Sequence, residues 1–505
     1  MHSRQRFIRG LLLAGFGFAA FFVLEFLFEW NRLGQPDITS MTWVAKNNPK
    51  LVDVLSPMAR AYNNVLAMLL ATIGLAIPLT ANMHTPKLIE MFLRDRTNQV
   101  MLFLCAFGAA NVLFVAWMVG PDFPPIWAIR LAVFGVLLGW AALIPYFFYV
   151  VRFLDPSDIL RRLKDQVCEQ VDRGLDGGDT EECQDIVHER LQQIGTIVLK
   201  SIDRADRGVV QEGIWALKQI LDYYGPKKAS LPAAWYKVDR KDFVGLSAEA
   251  IEIINEDRTW LEHKVLHQLY VAYQGGLPKS PDAVSSISDA TRVIALHMAE
   301  RGDERALVLA VRFFNNFLRE AIKRKDVHAI YDLFYQYRLI ARDCGEGRPE
   351  LLKQFGNYFR HYAQTAAQNG MPFVAQFVSF DLGWIVRRAY ESKSPAASKL
   401  LDDVLVIDHL AYGKIVAMVA KAKILLGGFF VESGLKDEAE RVRKSLSNAP
   451  AAEIAAVGQD LMEVEERCFW EVTDRQVNFE WVAPERKQSV KAFLESFSSA
   501  SSSST

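Results

Sequence analysis

Cysteine is scarce in this chain and shows no pairing pattern. Cys105, Cys168, Cys183, Cys344 and Cys468 are scattered over 505 positions with no C-x-x-C spacing. A disulfide scaffold is excluded and no zinc-site spacing is present, so free thiols in a reducing compartment are expected. Charge is sparse in the first 154 residues. They hold 12 Lys/Arg and 7 Asp/Glu, about 12%, against 46 and 52, about 28%, in residues 155–505. A single soluble domain is excluded, because such a stretch could not be dissolved alone. The net charge of −1 leaves no basic excess for nucleic-acid binding. The chain also lacks a Gly-rich phosphate loop, a G-x-S-x-G turn and an H-E-x-x-H helix, so an enzyme is the least favoured class and no cofactor is expected. Alternating β-branched runs are nearly absent, which argues against a sheet.

What is present is oil in long runs. Crossing a bilayer takes about 20 mostly apolar residues, and four stretches qualify: Gly10–Phe28, Ala61–Met83, Thr97–Pro121 and Leu131–Val151, the last extended outward to Ile126. The first follows Arg4, Arg6 and Arg9. Its bulky Phe16–Phe28 section and the lack of a small-x-small site after it favour a retained helix over a cleaved signal peptide. Basic residues in the N-terminal tail, in the second-to-third loop (Lys87, Arg94, Arg96) and after the fourth span (Arg152, Arg161, Arg162, Lys164) place both termini in the cytoplasm. Arg32, Lys46, Lys50 and Arg60 in the first outer loop dissent. Trp30, Trp117 and Trp127 then fall at the outer interface, as in an aromatic belt.

Polar groups inside spans are functional candidates. Glu25 and Arg130 lie at similar depth and form a candidate intramembrane pair, or each snorkels to the headgroups. Asn111 and Thr72 are mid-membrane and either line a pore or bond between helices. Pro78 removes one backbone hydrogen bond from the second span and should kink it.

The segment from His84 to Gln99 reads as an amphipathic helix starting at Pro86. Leu88, Ile89, Phe92 and Leu93 form its apolar stripe, and Lys87, Arg94 and Arg96 reach water or headgroups. With its Pro-Lys-Leu and Phe-Leu-Arg-Asp-Arg-x-Asn-Gln elements, the stretch Pro78–Gln99 resembles an uncharacterised bacterial family of predicted integral membrane proteins, domain-of-unknown-function family twenty-two fifty-four. The resemblance covers spans two to four. It implies a bacterial inner-membrane protein and transfers no catalytic residues. An Asn-Asp-Pro element associated with the soluble part of family members is absent here.

After span four, Asp155-Pro156-Ser157-Asp158 reads as the start of a new helix. Apolar residues then recur at three and four spacing in Val210–Tyr224, Ala306–Leu318, Val327–Ile340 and Ile415–Phe430. Brief joints separate the helices: Arg207-Gly208, Arg301-Gly302-Asp303, Lys325-Asp326, Asn369-Gly370 and Gly434–Asp437. Gly302, Gly370 and Gly434 are 68 and 64 residues apart, each near twice 34, which suggests an irregular tetratricopeptide-like solenoid or hairpin bundle. One insert, Gly225–Gly245, is basic. Its Lys227, Lys228 and exposed-looking Trp235–Tyr236 pair either contact anionic headgroups or form an ordinary loop. His263 and His267, with Glu262 adjacent, have the i, i+4 spacing of a shared metal site but no identifiable third ligand, so an exposed helical pair is preferred. Capping and solvation account for Asp402, Asp403, Asp408 and His409. Ser496–Thr505 is Ser-rich and expected to be disordered.

The expectation is an all-α protein. It has a four-span membrane domain (1–154), a cytoplasmic helical domain (155–495) and a disordered tail (496–505), without metal or cofactor, lodged in the bacterial inner membrane and self-associating. Two functions remain: a scaffold or sensor that recruits a cytosolic protein partner, or an oligomeric channel or transporter.

Overall fold

In the computed structural model the described residues are 19–32, 49–83, 95–119, 125–407, 414–468 and 477–501, together with positions 17, 89, 92, 93 and 475. They are helical with no strand among them; Cys468 and Val477 form one isolated β-bridge. The chain divides into two compact units, Met1–Ile159 and Leu160–Thr505.

The first unit contains α1 (19–32), α2 (Pro49–Met83), α3 (Arg96–Met118) and α4 (Ile126–Leu154). Its packing follows residue size. Ala128, Ala132, Val136 and Gly139 of α4 turn inward and meet Val112 and Val115 of α3 and Ala59 and Tyr62 of α2. Leu131, Phe134, Leu138, Ile144, Phe147 and Phe148 of α4 face outward. Tyr146 and Phe153 are buried nearer the C-terminal end, but over the first half of α4 the larger apolar groups are exposed and the smaller ones buried, the reverse of hydrophobic burial in water. It suits helices whose surroundings are as apolar as their side chains and whose contacts gain from close backbone approach. Two helices, Arg96–Met118 and Ile126–Phe153, are long and apolar enough to cross a membrane among the described residues. The expected span 61–83 lies within α2, and the expected span 10–28 begins outside the described residues. Pro78 does not end α2, which continues to Met83.

The motif that carried the family resemblance is a helix start. Asp95 caps α3, accepting from the Asn98 backbone N–H at 3.1 Å and from the Tyr149 hydroxyl of α4 at 2.7 Å. The buried Asn98 amide donates to the Phe92 carbonyl at 3.0 Å, and Gln99 donates to that of Leu93 at 2.9 Å. Asp95 thus satisfies an N–H group that the helix start leaves open, and Asn98 and Gln99 tie the first turn of α3 to the residues before it. Lys87 and Arg94 lie outside the described residues, and Arg96 is exposed at the first turn.

Asp155 caps α5 (Pro156–Leu175) as expected, accepting from the Ser157 N–H at 2.8 Å. The helices that follow in the second unit are α6 (Thr180–Asp203), α7 (Arg207–Tyr224), α8 (Ala248–Asp257), α9 (Trp260–Gly276), α10 (Pro281–Glu300), α11 (Glu304–Arg324), α12 (Val327–Cys344), α13 (Pro349–Gln368), α14 (Val374–Glu391), α15 (Ala397–Leu405), α16 (Lys414–Glu432), α17 (Lys436–Leu446), α18 (Ala451–Glu463) and α19 (Pro484–Ser501). They lie in two rows. In one, α6, α9, α11, α13 and α15 each pack on the next; in the other, α7, α10, α12, α14 and α16 do the same; α17, α18 and α19 close over α16. The joints are built alike. Gly302 and Lys325 take left-handed φ of 71° and 56°, and the aspartate after each caps the next helix, accepting from Ala306 and Ala329.

Three expectations are corrected. Hairpins begin at Trp260, Glu304, Pro349 and Ala397, which are 44, 45 and 48 residues apart, not 34. The intervals between Gly302, Gly370 and Gly434 each hold three helices rather than two hairpins, so their nearness to twice 34 was coincidental. The Ser-rich end is helical as far as Ser501, because Phe493 and Phe497, one turn apart and both buried, anchor α19; residues 502–505 of the expected tail lie outside the described residues. Asp403 is not solvated but fully buried, bonded to Lys399 at 2.8 Å, while Asp402 pairs with Arg441; Asp408 and His409 lie outside the described residues.

Candidate functional site

In the first unit the polar groups of the apolar helices clip α1 to its neighbours. The buried Glu25 carboxylate accepts from the Asn111 amide of α3 at 3.0 Å. One turn on, fully buried Glu29 accepts from the backbone N–H groups of Trp127 and Ala128 at 2.7 and 3.0 Å and pairs with Arg32 at 3.2 Å. These N–H groups open α4, whose own N-cap, Pro125, offers no side-chain acceptor. An anion there meets the positive end of the helix dipole. Glu29 falls just past the apolar run ending at Phe28, so span counting passed over it. The expected Glu25–Arg130 pair does not form; Arg130 lies 5.0 Å over the Trp127 ring. Asn111 thus bonds between helices, whereas Thr72 is exposed and donates back to Met68 of its own helix at 2.9 Å.

In the basic insert of the second unit Trp235, Lys227 and Lys228 are engaged within the unit rather than presented to headgroups. Trp235 is fully buried against Gly174, and its carbonyl accepts from Trp260 and Gln184 at 2.6 and 3.0 Å. Lys228 is held between Glu262 and Asp303, 2.6 Å from each, and Lys227 pairs with Asp172. Burial works against the Lys228 charge, but the two carboxylates outweigh it and hold its pKa above the usual lysine value. Burial pushes the Glu262 carboxyl up, with Lys228 pulling against it. The sequence shows the cations of this loop without the acids, 34 to 75 residues away, that neutralise Lys228. Glu262 is therefore committed to Lys228, and His263 sits edge-on between Phe243 and Phe313 rather than forming an open pair with His267. Among the described residues no group of three His, Cys, Asp or Glu side chains is placed to hold a metal.

A cavity of about 360 Å³ near the C-terminal end of the two rows gathers the densest chemistry. Its walls come from α12, α14, α16, α19, Arg475 and residues 477–483. Behind it Asp381, fully buried on α14, takes Arg475 and, at 3.4 Å, Arg338. Arg475 also donates to the Tyr331 carbonyl at 3.0 Å and lies 4.3 Å over that ring. Burial lowers the Arg338 pKa while Asp381 supports its charge. Asp381 was legible as a lone charge in the apolar run Phe377–Leu382, but its partner Arg475 is 94 residues away. A second, more open groove of about 590 Å³ runs over α7, α10 and α12. There Trp215 is 47% exposed beneath Lys218, and Arg292 bonds Gln336 at 2.9 Å and Asp289 at 2.7 Å.

An all-helical chain with one apolar helical unit and a larger charged one is the class that fold and sequence define. Residues 3–212 match the family described as "Predicted membrane protein (DUF2254)". The match confirms the resemblance and extends it at both ends, from ahead of α1 to within α7. No curated protein matches the chain. A solved structure titled "Circular tandem repeat protein with novel repeat topology and enhanced subunit contact surfaces" is similar at 14% identity and a TM-score of 0.30, over 83% of this chain and 99% of that one.

Proposed function

We propose that the protein is a membrane-anchored helical scaffold or sensor, with the second unit, a hairpin solenoid, holding a cytosolic protein partner. The groove over α7, α10 and α12 carries this reading. An exposed Trp ringed by Lys, Arg and Asp groups is the composition of a protein-binding hot spot, and the mixture of both charge signs does not suit a polyanion. The first unit anchors the chain in the bacterial inner membrane as a multi-pass segment with both termini inside, and the protein self-associates there. The test is photo-crosslinking from position 215 in cells making the full-length chain, followed by capture with a Trp215→Glu variant. One partner, retained by the parent and lost by the variant, supports the reading; no specific adduct at this face counts against it. Reporter fusions after Val151 test the orientation, and a periplasmic signal overturns it. Light scattering in detergent tests self-association, and a monodisperse monomer counts against it. A second reading, an oligomeric channel or transporter, rests on the Glu25–Asn111 contact inside the apolar unit. Reconstituted bilayers without conductance under voltage or tension remove it.

A further inference from the structure

The cavity between α12, α14, α16 and α19 carries more positive charge than its surroundings neutralise. Arg338, Arg387, Arg475 and Arg486 line it, and no carboxylate does so among the described residues. Glu391 answers Arg387 at 2.8 Å and Glu432 answers Arg486 at 3.5 Å. Among the described residues Arg338 and Arg475 share the single carboxylate of Asp381, so the two guanidinium charges at this depth meet one counter-charge there. An uncompensated buried charge is costly, and a site keeps one at low cost only where an anion joins it.

The donors and the walls define that anion. The Nε atoms of Arg338 and Arg475 are buried without an acceptor, and that of Arg486 has only the Glu432 carboxylate at 3.5 Å. Arg338 lies 5.3 Å over Trp384, Arg475 5.0 Å over Phe479 and Arg387 5.4 Å over Phe429. A guanidinium over a ring keeps its N–H donors in its own plane, and the donors that Arg338 and Arg475 do not spend on Asp381 and the Tyr331 carbonyl can fork onto a carboxylate. The aromatic faces and Leu425, Leu426 and Val482 supply an apolar lining. A volume of about 360 Å³ suits a small molecule rather than a polymer segment.

We propose that this cavity binds a small organic acid, a carboxylate on a flat apolar body, with Arg338 and Arg475 taking the carboxylate and the aromatic walls the body. The site shares α12 with the partner-binding groove but no lining residue, so acid binding and capture through Trp215 are read by separate experiments.

The probe is naphthalene-2-carboxylate, titrated calorimetrically into the full-length protein in nanodiscs, with empty nanodiscs subtracted and naphthalene-2-carboxamide as the uncharged comparison. The expected result is saturable binding at one per chain, at least tenfold tighter for the acid than for the amide, and weakened at least tenfold by Arg338→Gln. That is the loss expected for one charge-assisted pair. Arg475 is too buried to be replaced safely. Arg486→Gln and Trp384→Leu are the second and third variants, and each is expected to weaken the acid while the protein keeps its parental melting transition. Equal binding of acid and amide, unchanged affinity in Arg338→Gln and Arg486→Gln together, or no saturable binding at millimolar acid overturns the proposal.

Discussion

Glu29→Ala strips the backbone N–H groups of Trp127 and Ala128 of their carboxylate acceptor. Losing a helix cap typically costs about 1 kcal/mol, and more where the orphaned groups cannot reach water. Thermal unfolding of the detergent-solubilised protein is expected to begin earlier in Glu29→Ala, and Glu29→Gln, which keeps an acceptor oxygen, is expected to recover part of the loss. Equal stability in all three would mean the cap does not matter. The contrast between Glu25 and Glu29 shows what single residues disclose. Glu25 and Asn111 stand out because polarity inside an apolar run is costly, so both were visible in the sequence. Their pairing was not, since it depends on which face of α1 meets α3. Trp235 misled for the opposite reason. A Trp between lysines looks exposed until the distant Glu262 and Asp303 are brought to the same place.

Helix pairs obey a different constraint, that of available space. In the first unit a Cβ on Gly139 would stand 2.6 Å from the Tyr62 hydroxyl oxygen, and one on Gly108 would stand 3.0 Å from it. The missing side chains let α2 seat its tyrosine between α3 and α4. Gly139→Ala is therefore expected to destabilise the protein in detergent by about 1–3 kcal/mol, the usual cost of overpacking. Adding Tyr62→Phe removes the oxygen nearest the new methyl and is expected to restore much of the loss. A double mutant no better than Gly139→Ala alone would place the strain elsewhere. Helices and joints were readable in advance, because capping and left-handed turn residues act locally. Gly302-Asp303 and Lys325-Asp326 are found where they were expected. The period was misread because glycine marks some joints and not others: between Gly302 and Gly370, one joint turns on Lys325. Spacing glycines therefore miscounted helices.

At the scale of the folded chain, histidine burial sets the response to acid. Burial and the Lys264 charge lower the His188 pKa from 6.5 to about 4, against the pull of Asp242. Burial, with His267 and Lys264, lowers that of His263 to about 4 as well. Both groups are neutral in the native state, while the unfolded chain protonates them near pH 6.5. As pH falls from about 6.5 towards 4 the unfolded state takes up protons that the native state refuses, so stability is lost over that window and is full above it. A tenfold difference in proton affinity between the two states is worth about 1.4 kcal/mol, so each histidine contributes a loss of up to roughly 3 kcal/mol. The buried Glu262 carboxyl, held above its ordinary range, binds its proton more readily when folded and offsets part of this loss at the acid end. The melting temperature of the full-length protein in detergent is therefore expected to fall steeply between pH 7 and pH 5. His263→Leu is expected to lessen the fall, because leucine fills the space between Phe243 and Phe313 without a proton to gain, while His188 and His267, the latter also held below the usual histidine value by burial, keep their share. A parent whose melting temperature is flat across that range, or a variant with the parental slope, would show that these two rings already take up protons in the native fold.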